Sequence, residues 1–221
     1  HLHTLAHSLE RIVSEGRNPN TLDIDTLPSE GILERINNED KKVAQAVETQ
    51  IPSIAQVVDA ATISIQQGGR LVYIGAGTSG RLGILDAVEC RPTFSVPDSL
   101  VVGIIAGGDK ALVHAVEGAE DNTAAGKTDL ENIALHMNDT VVGLSASGRT
   151  PYVSGALEYA KSLGCATAAI ACSPNASIFT YADITICPVV GAEALTGSTR
   201  MKSGTAQKMI LNMISTATMI K

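Results

Sequence analysis

Residues Tyr73 to Gly83, "YIGAGTSGRLG", place Gly75, Gly77 and Gly80 at the G-x-G-x-x-G spacing of a dinucleotide-binding turn. Such a site also needs an acidic residue about 20 positions further on, at the end of the second strand, to hold ribose hydroxyls. Here the second apolar run ends at Gly107-Gly108, and Asp109 is the first acid after it. The loop between, "ECRPTFSVPDS", is too long for a compact first unit, so a nicotinamide or flavin reading fails. The hydroxyls say more than the glycines. Thr78 and Ser79 stand where a strand turns into a helix, and backbone N–H groups and the helix dipole favour an anion there. The same chemistry returns in Ser145-Ala146-Ser147-Gly148-Arg149-Thr150, just before Pro151 at a helix start. Brought together, Thr78, Ser79, Gly80, Ser145, Ser147, Arg149 and Thr150 would cradle one phosphate monoester. Apart, they would be two ordinary helix starts.

The elements that must position these turns alternate. Runs over 70–77, 100–108, 140–148, 166–173 and 184–190 are apolar on both faces, as buried parallel strands are. Helical spacing fills the gaps over 79–89, 110–116 and 152–163, with a short piece near Ser177. This is an α/β pattern: a three-layer, doubly wound sheet of five parallel strands. Its first and third strands can lie side by side at the switch point where open sheets bind ligands. The first 30 or so residues read as a polar arm turning at Asn18-Pro19-Asn20. A helix is predicted over 39–67, with Pro52 as a boundary or kink. The last stretch, from Ser198, reads as a long helix capped by Ser and Thr, with an apolar face for the core or a subunit contact.

Composition narrows the partners. The 221 residues carry a net charge of -7, which argues against a nucleic-acid backbone as ligand. With no Trp, 2 Phe and 4 Tyr, a base- or sugar-stacking platform is also out of place. Cys90, Cys165, Cys172 and Cys187 form no C-x-x-C pair and read as reduced thiols of a cytoplasmic protein. No apolar run approaches the 18 or so residues of a membrane span, and no secretory leader opens the chain. His1, His3 and His7 read as part of a frayed terminus rather than a metal site.

Four motifs carry a resemblance. "GAGTSGRLGILDAVECRPTF", "AVEGAEDN", "SASGRTPYV" and "TGSTRMKSGTAQKMILNM" are similar to those of the N-acetylmuramic acid 6-phosphate etherase family, built on the sugar isomerase (SIS) domain. The resemblance spans roughly Asn18 to Lys221. It implies a flavodoxin-like SIS domain over 51–221, preceded by an N-terminal arm and helix over 1–50, with a further helical C-terminal region that this stretch does not include. It also implies a cytoplasmic homodimer that needs no metal or organic cofactor. The reaction implied is cleavage of the D-lactyl ether of N-acetylmuramate 6-phosphate to N-acetylglucosamine 6-phosphate and D-lactate. The catalytic carboxylates carried over are Glu89 and Glu120. Two positions depart from the family pattern: Arg91 replaces a Pro beside Glu89, and Thr199 replaces a Ser.

The chemistry asks for two unequal carboxyls. In the open-chain sugar the C2 proton is α to an aldehyde, so one carboxylate removes it while a protonated one hands its proton to the departing lactyl oxygen. Glu89, at the far end of the helix that begins at Ser79, suits the protonated role because the dipole there disfavours negative charge. Glu120, beside Glu117 and Asp121, suits the base. Without the resemblance, both read as solvated loop carboxylates. Arg149, Arg200 and Lys202 are candidates for neutralising phosphate or lactyl carboxylate, and Glu193 for lining the pocket or capping the following helix. Two rival readings share the cradle: a non-catalytic sugar-phosphate-binding regulator, and an aldose–ketose isomerase.

Overall fold

The five apolar runs pair as one parallel sheet of β1 (Leu71–Gly75), β2 (Val101–Ile105), β3 (Thr140–Leu144), β4 (Ala166–Ile170) and β5 (Ile184–Ile186), in the order β2-β1-β3-β4-β5. The structure is a computed structural model and describes residues 13–94, 97 and 99–221. The three histidines of the first seven residues lie outside these. Leu71 is level with Val101 on one side and with Thr140 on the other, so β1 separates the two directions in which the chain winds.

Strand alternation sorts side chains onto two faces. Leu71 and Tyr73 point into one core with Val142, Leu144, Ala168 and Ile170. This core is covered by α1 (Ser29–Glu48), α2 (Ile51–Gln66), α3 (Gly77–Phe94) and α6 (Lys202–Ile220). Val72, Ile74, Val141 and Ala169 point the other way, under α4 (Thr123–Asn132) and α5 (Pro151–Ser162). The three-layer α/β sandwich expected from the pattern is present. Among the described residues no helix is long and apolar enough to cross a membrane.

Several boundaries differ from the sequence reading. The predicted helix over 39–67 is two helices, and the first begins at Ser29, inside the stretch read as an arm. The break falls at Thr49–Gln50, not at Pro52, because a proline in the first turn of α2 lacks only an N–H that no helix bond needs. The Gln50 side chain then fastens the corner by accepting from the Cys187 N–H at 2.8 Å. The predicted helix over 110–116 is only a 3-10 turn, Asp109–Leu112, entered through Gly107 and Gly108 at φ 89° and 73°. Helix α4 has no counterpart among the predicted helices; its start is capped by Asn122, whose side chain accepts from the Ala125 N–H at 3.0 Å.

At the sheet's opposite end, Asp139 joins the entries to β1 and β3. Its carboxylate accepts from the Arg70 N–H at 2.8 Å, from Arg70 Nη2 at 2.9 Å and from the His136 N–H at 2.8 Å. Burial pushes this carboxyl up, but the Arg70 hydrogen bonds, the His136 N–H and the Arg70 charge outweigh it and hold it below the ordinary value.

Candidate active site

A cavity of about 350 Å³ opens at the carboxyl ends of β1 and β3. Two elements start there, α3 after β1 and α5 after β3, so two helix N-termini face one space. Thr78 and Ser79 line it from the first turn of α3, and Ser145, Ser147, Arg149 and Thr150 from the turn before α5. The β3 turn is tied by its own hydroxyls. Ser145 Oγ lies 2.7 Å from Thr150 Oγ1 and accepts from the Gly148 N–H at 3.0 Å, while Ser147 Oγ accepts from the Arg149 N–H at 3.3 Å. Gly148 adopts φ 76°, and a Cβ there would meet Ala176 Cβ at 2.1 Å, so only glycine fits this turn.

Gly80 is elsewhere. It faces away from the cavity and lets α3 close on the sheet: a Cβ would meet Ile105 Cγ1 at 2.6 Å and the Gly75 carbonyl oxygen at 2.7 Å.

The cavity holds groups the sequence did not suggest. Ser79 Oγ donates to Gln207 Oε1 at 2.8 Å, which brings α6 into the cradle. Gln207 is 1% exposed and its Nε2 has no hydrogen-bond partner among the described residues, leaving a buried donor beside the space where an anion would sit. Thr199 and Glu15 also line the wall. Burial, and then the charge of Glu193, pushes the Glu15 carboxyl up. Glu15 arrives through tertiary stitching of the first described residues: Asn18 Nδ2 donates to the Ala192 carbonyl at 2.9 Å, and Thr21 Oγ1 donates to that of Ala194 at 2.9 Å. Nothing in the local pattern of "SEGRNPN" announces it.

Glu120 and Asp121 line the cavity from a 3-10 turn, Ala119–Asp121, that follows Gly118 in the left-handed region. Glu117 is exposed and outside the lining. Glu89 is exposed on α3 and does not line the cavity of its own chain; the helix expected to end at Glu89 runs on to Phe94, so Glu89 lies before the last turn, where the terminal dipole acts. It stands ten residues beyond Ser79, about 15 Å further along the helix axis.

Lys202 and Arg200 correct the reading of the "TGSTRMK" segment, while Glu193 takes the second of the two roles expected for it, capping the following helix. Lys202 is 2% exposed and donates to the Val190 carbonyl at 2.7 Å, with Glu39 Oε2 at 3.6 Å. It is a buried structural cation and faces no ligand space. Glu193, 0% exposed, accepts from the Lys202 and Ser203 N–H groups at 2.9 Å each and from Ser203 Oγ at 3.0 Å. It caps α6 from a remote loop, in place of the Ser198 and Thr199 side chains expected to do so. Arg200 is exposed and outside the lining.

A smaller side cavity of about 220 Å³ shares Ala76, Gly77, Thr78 and Glu120 with the main one. Beyond that shared rim it is walled by Arg81 and by small side chains of the 106–119 segment.

Comparison with known proteins decides the family. Over 214 residues the chain is 62% identical to the N-acetylmuramic acid 6-phosphate etherase of Cronobacter sakazakii, covering 97% of this chain and 72% of that one. It is also 62% identical, over 217 residues, to the Pseudoalteromonas atlantica etherase, covering 98% of this chain and 71% of that protein. The chain belongs to the N-acetylmuramic acid 6-phosphate etherase family. Residues 53–161 match the glucokinase regulatory protein N-terminal SIS domain, and residues 123–217 match the SIS domain. Solved structures agree on the fold. A phosphoheptose isomerase from Francisella tularensis superposes with TM-score 0.64 at 20% identity, covering 86% of this chain and 99% of that one. The phosphoheptose isomerase of Neisseria gonorrhoeae gives TM-score 0.62 at 14% identity, covering 86% of this chain and 97% of that one. In this etherase-family chain, the two hydroxyl-rich turns and Glu120 thus belong to one cavity at the switch point of an SIS sheet.

Proposed function

We propose that the protein is an N-acetylmuramate 6-phosphate etherase whose main cavity binds the sugar phosphate. The observation that carries this is the convergence of Thr78, Ser79, Ser145, Ser147 and Thr150 with Glu120 in one cavity, in a chain of the etherase family. The 6-phosphate sits between the N-termini of α3 and α5, where amides, hydroxyls and dipoles favour an anion.

The sugar reacts in its open-chain form. Glu120 takes the C2 proton, which the neighbouring aldehyde acidifies; the electron pair forms the C2–C3 double bond as the C3–oxygen bond breaks. A carboxyl protonates the lactyl oxygen, and D-lactate leaves. Water then adds at C3 of the unsaturated aldehyde and a proton returns to C2, giving N-acetylglucosamine 6-phosphate.

Glu89 is proposed as the acid, supplied across a homodimer interface by a second copy, since α3 carries it away from its own cavity. Support comes from its neighbours on α3: Leu85 and Val88 are 47% and 51% exposed, an apolar surface suited to a subunit contact. The reaction is a cytoplasmic step in the recycling of cell-wall sugar.

The test is to supply N-acetylmuramate 6-phosphate in heavy-oxygen water and assay both products. D-lactate release with label at C3 of the sugar is expected. Lactate release without label would overturn elimination and hydration, and no lactate release would overturn the etherase reading.

A further inference from the structure

We infer that the side cavity beside Glu120 is the subsite for the substrate's lactyl group, with Arg81 holding its carboxylate. This rests on the etherase reading above and adds to it the place of the leaving group. The walls contributed by Ala106, Ala111, Ala115, Val116 and Ala119 are apolar and small, and Arg81 is the cation among them.

Arg81 is half-buried and fixed. Its Nη2 donates to the Ala111 carbonyl at 3.1 Å and its Nε to the Leu112 carbonyl at 3.3 Å. Those two bonds set the guanidinium plane and leave Nη1 with no partner among the described residues. Among the described residues no carboxylate pairs with it, whereas the partly buried Arg70 has Asp139 at 2.9 Å. A guanidinium held in a small cavity without a counter-ion is completed by an anion from outside. The anion must also carry a short alkyl group, since most of the remaining walls are methyl-sized. A 2-substituted propanoate has both: a carboxylate for Nη1 and a methyl for the alanines.

Position agrees with this. The shared rim of the two cavities is Ala76 to Thr78 together with Glu120. A sugar whose phosphate lies in the main cavity, and whose C3 substituent enters the side cavity, passes its C2 along that rim within reach of Glu120. The N-acetyl group, neutral and retained in the product, has no use for the unpaired Arg81.

The test compares two ligands that differ only in the lactyl group. In a Glu120→Gln background, which spares the substrate, equilibrium binding of N-acetylmuramate 6-phosphate and of N-acetylglucosamine 6-phosphate is measured with and without Arg81→Met. The expected result is a loss of about tenfold or more for the lactyl ligand and less than about threefold for the other. Arg81→Met also removes two loop hydrogen bonds, so Ala115→Leu, at an exposed position, is the second variant. It adds bulk to the cavity wall while keeping Arg81 itself, and should show the same selective loss. Equal weakening of both ligands, or no change in either, in both variants would overturn the subsite. Lactate release by the unaltered protein reports separately on the etherase reading.

Discussion

Gln207 shows what one buried side chain contributes when its donor has no partner. Ser79 gives its hydroxyl proton to Gln207 Oε1, so its contribution to an anion is its backbone N–H at the helix start, and Gln207 Nε2 is the side-chain N–H left to meet an oxyanion. A hydrogen bond to a charged acceptor contributes about 1.5–3 kcal/mol. Gln207→Met should therefore raise KM for the sugar phosphate by about tenfold or more, with kcat changed far less. Steady-state kinetics with a melting check tests this, and an unchanged KM would remove Gln207 from the binding set. Glu120→Gln should behave in the opposite way: kcat falls by about 10²–10⁴ while binding persists, because only proton transfer is lost. The measurement that isolates the step is exchange of the C2 proton with deuterated water, which should cease.

At the level of elements, Glu193 holds the start of the helix that brings Gln207 to the cavity, and Asp139 ties the entries to β1 and β3 at the opposite end of the sheet. Glu193→Ala would remove three hydrogen bonds from the start of α6 and leave the Lys202 and Ser203 N–H groups buried and unpaired. A loss of about 2–4 kcal/mol in urea unfolding is expected, with a weaker ligand affinity because Gln207 stands on the same helix. Asp139 makes stability depend on pH. Its carboxyl lies below the ordinary 3.8 in the folded chain, so its contribution is complete above about pH 4 and fades as pH falls through the lower folded-state value. Asp139→Asn should cost about 3 kcal/mol at neutral pH, and the gap to the parent should narrow below pH 4. A gap that stayed constant between pH 6 and 3 would contradict this account. These elements also show what a sequence can express. The five strands and both hydroxyl-rich turns are legible because strand composition and a Ser/Thr-rich helix start are local patterns. Gln207, Glu15 and Arg81 are not, since only the packing of α6, the stitched N-terminal segment and the 109–112 turn brings them to the cavities. Lys202 misleads for the same reason: in "TGSTRMK" it looks like a surface cation, and only tertiary burial gives it the Val190 carbonyl.

For the whole molecule, the distance along α3 decides how many chains make one active centre. The first turn of this helix enters the cavity and Glu89 stands about 15 Å further along its axis, a span longer than a hexose with its phosphate. If both carboxylates act on one sugar, Glu89 must come from a second copy, and the exposed Leu85 and Val88 give that copy an apolar surface. A two-fold dimer then holds two composite sites, each with Glu120 from one chain and Glu89 from the other. Glu89→Gln and Glu120→Gln should each be nearly inactive alone. Mixed one to one with free subunit exchange, half of the dimers carry one copy of each. In those, one site is doubly altered and the other is intact, so activity should return to about a quarter of the parent's. No recovery, in mixtures shown by tagged subunits to have exchanged, would place both groups in one chain. Glu15, whose carboxyl already lines the cavity and is pushed up by burial, would then be the acid to test next by substitution with glutamine.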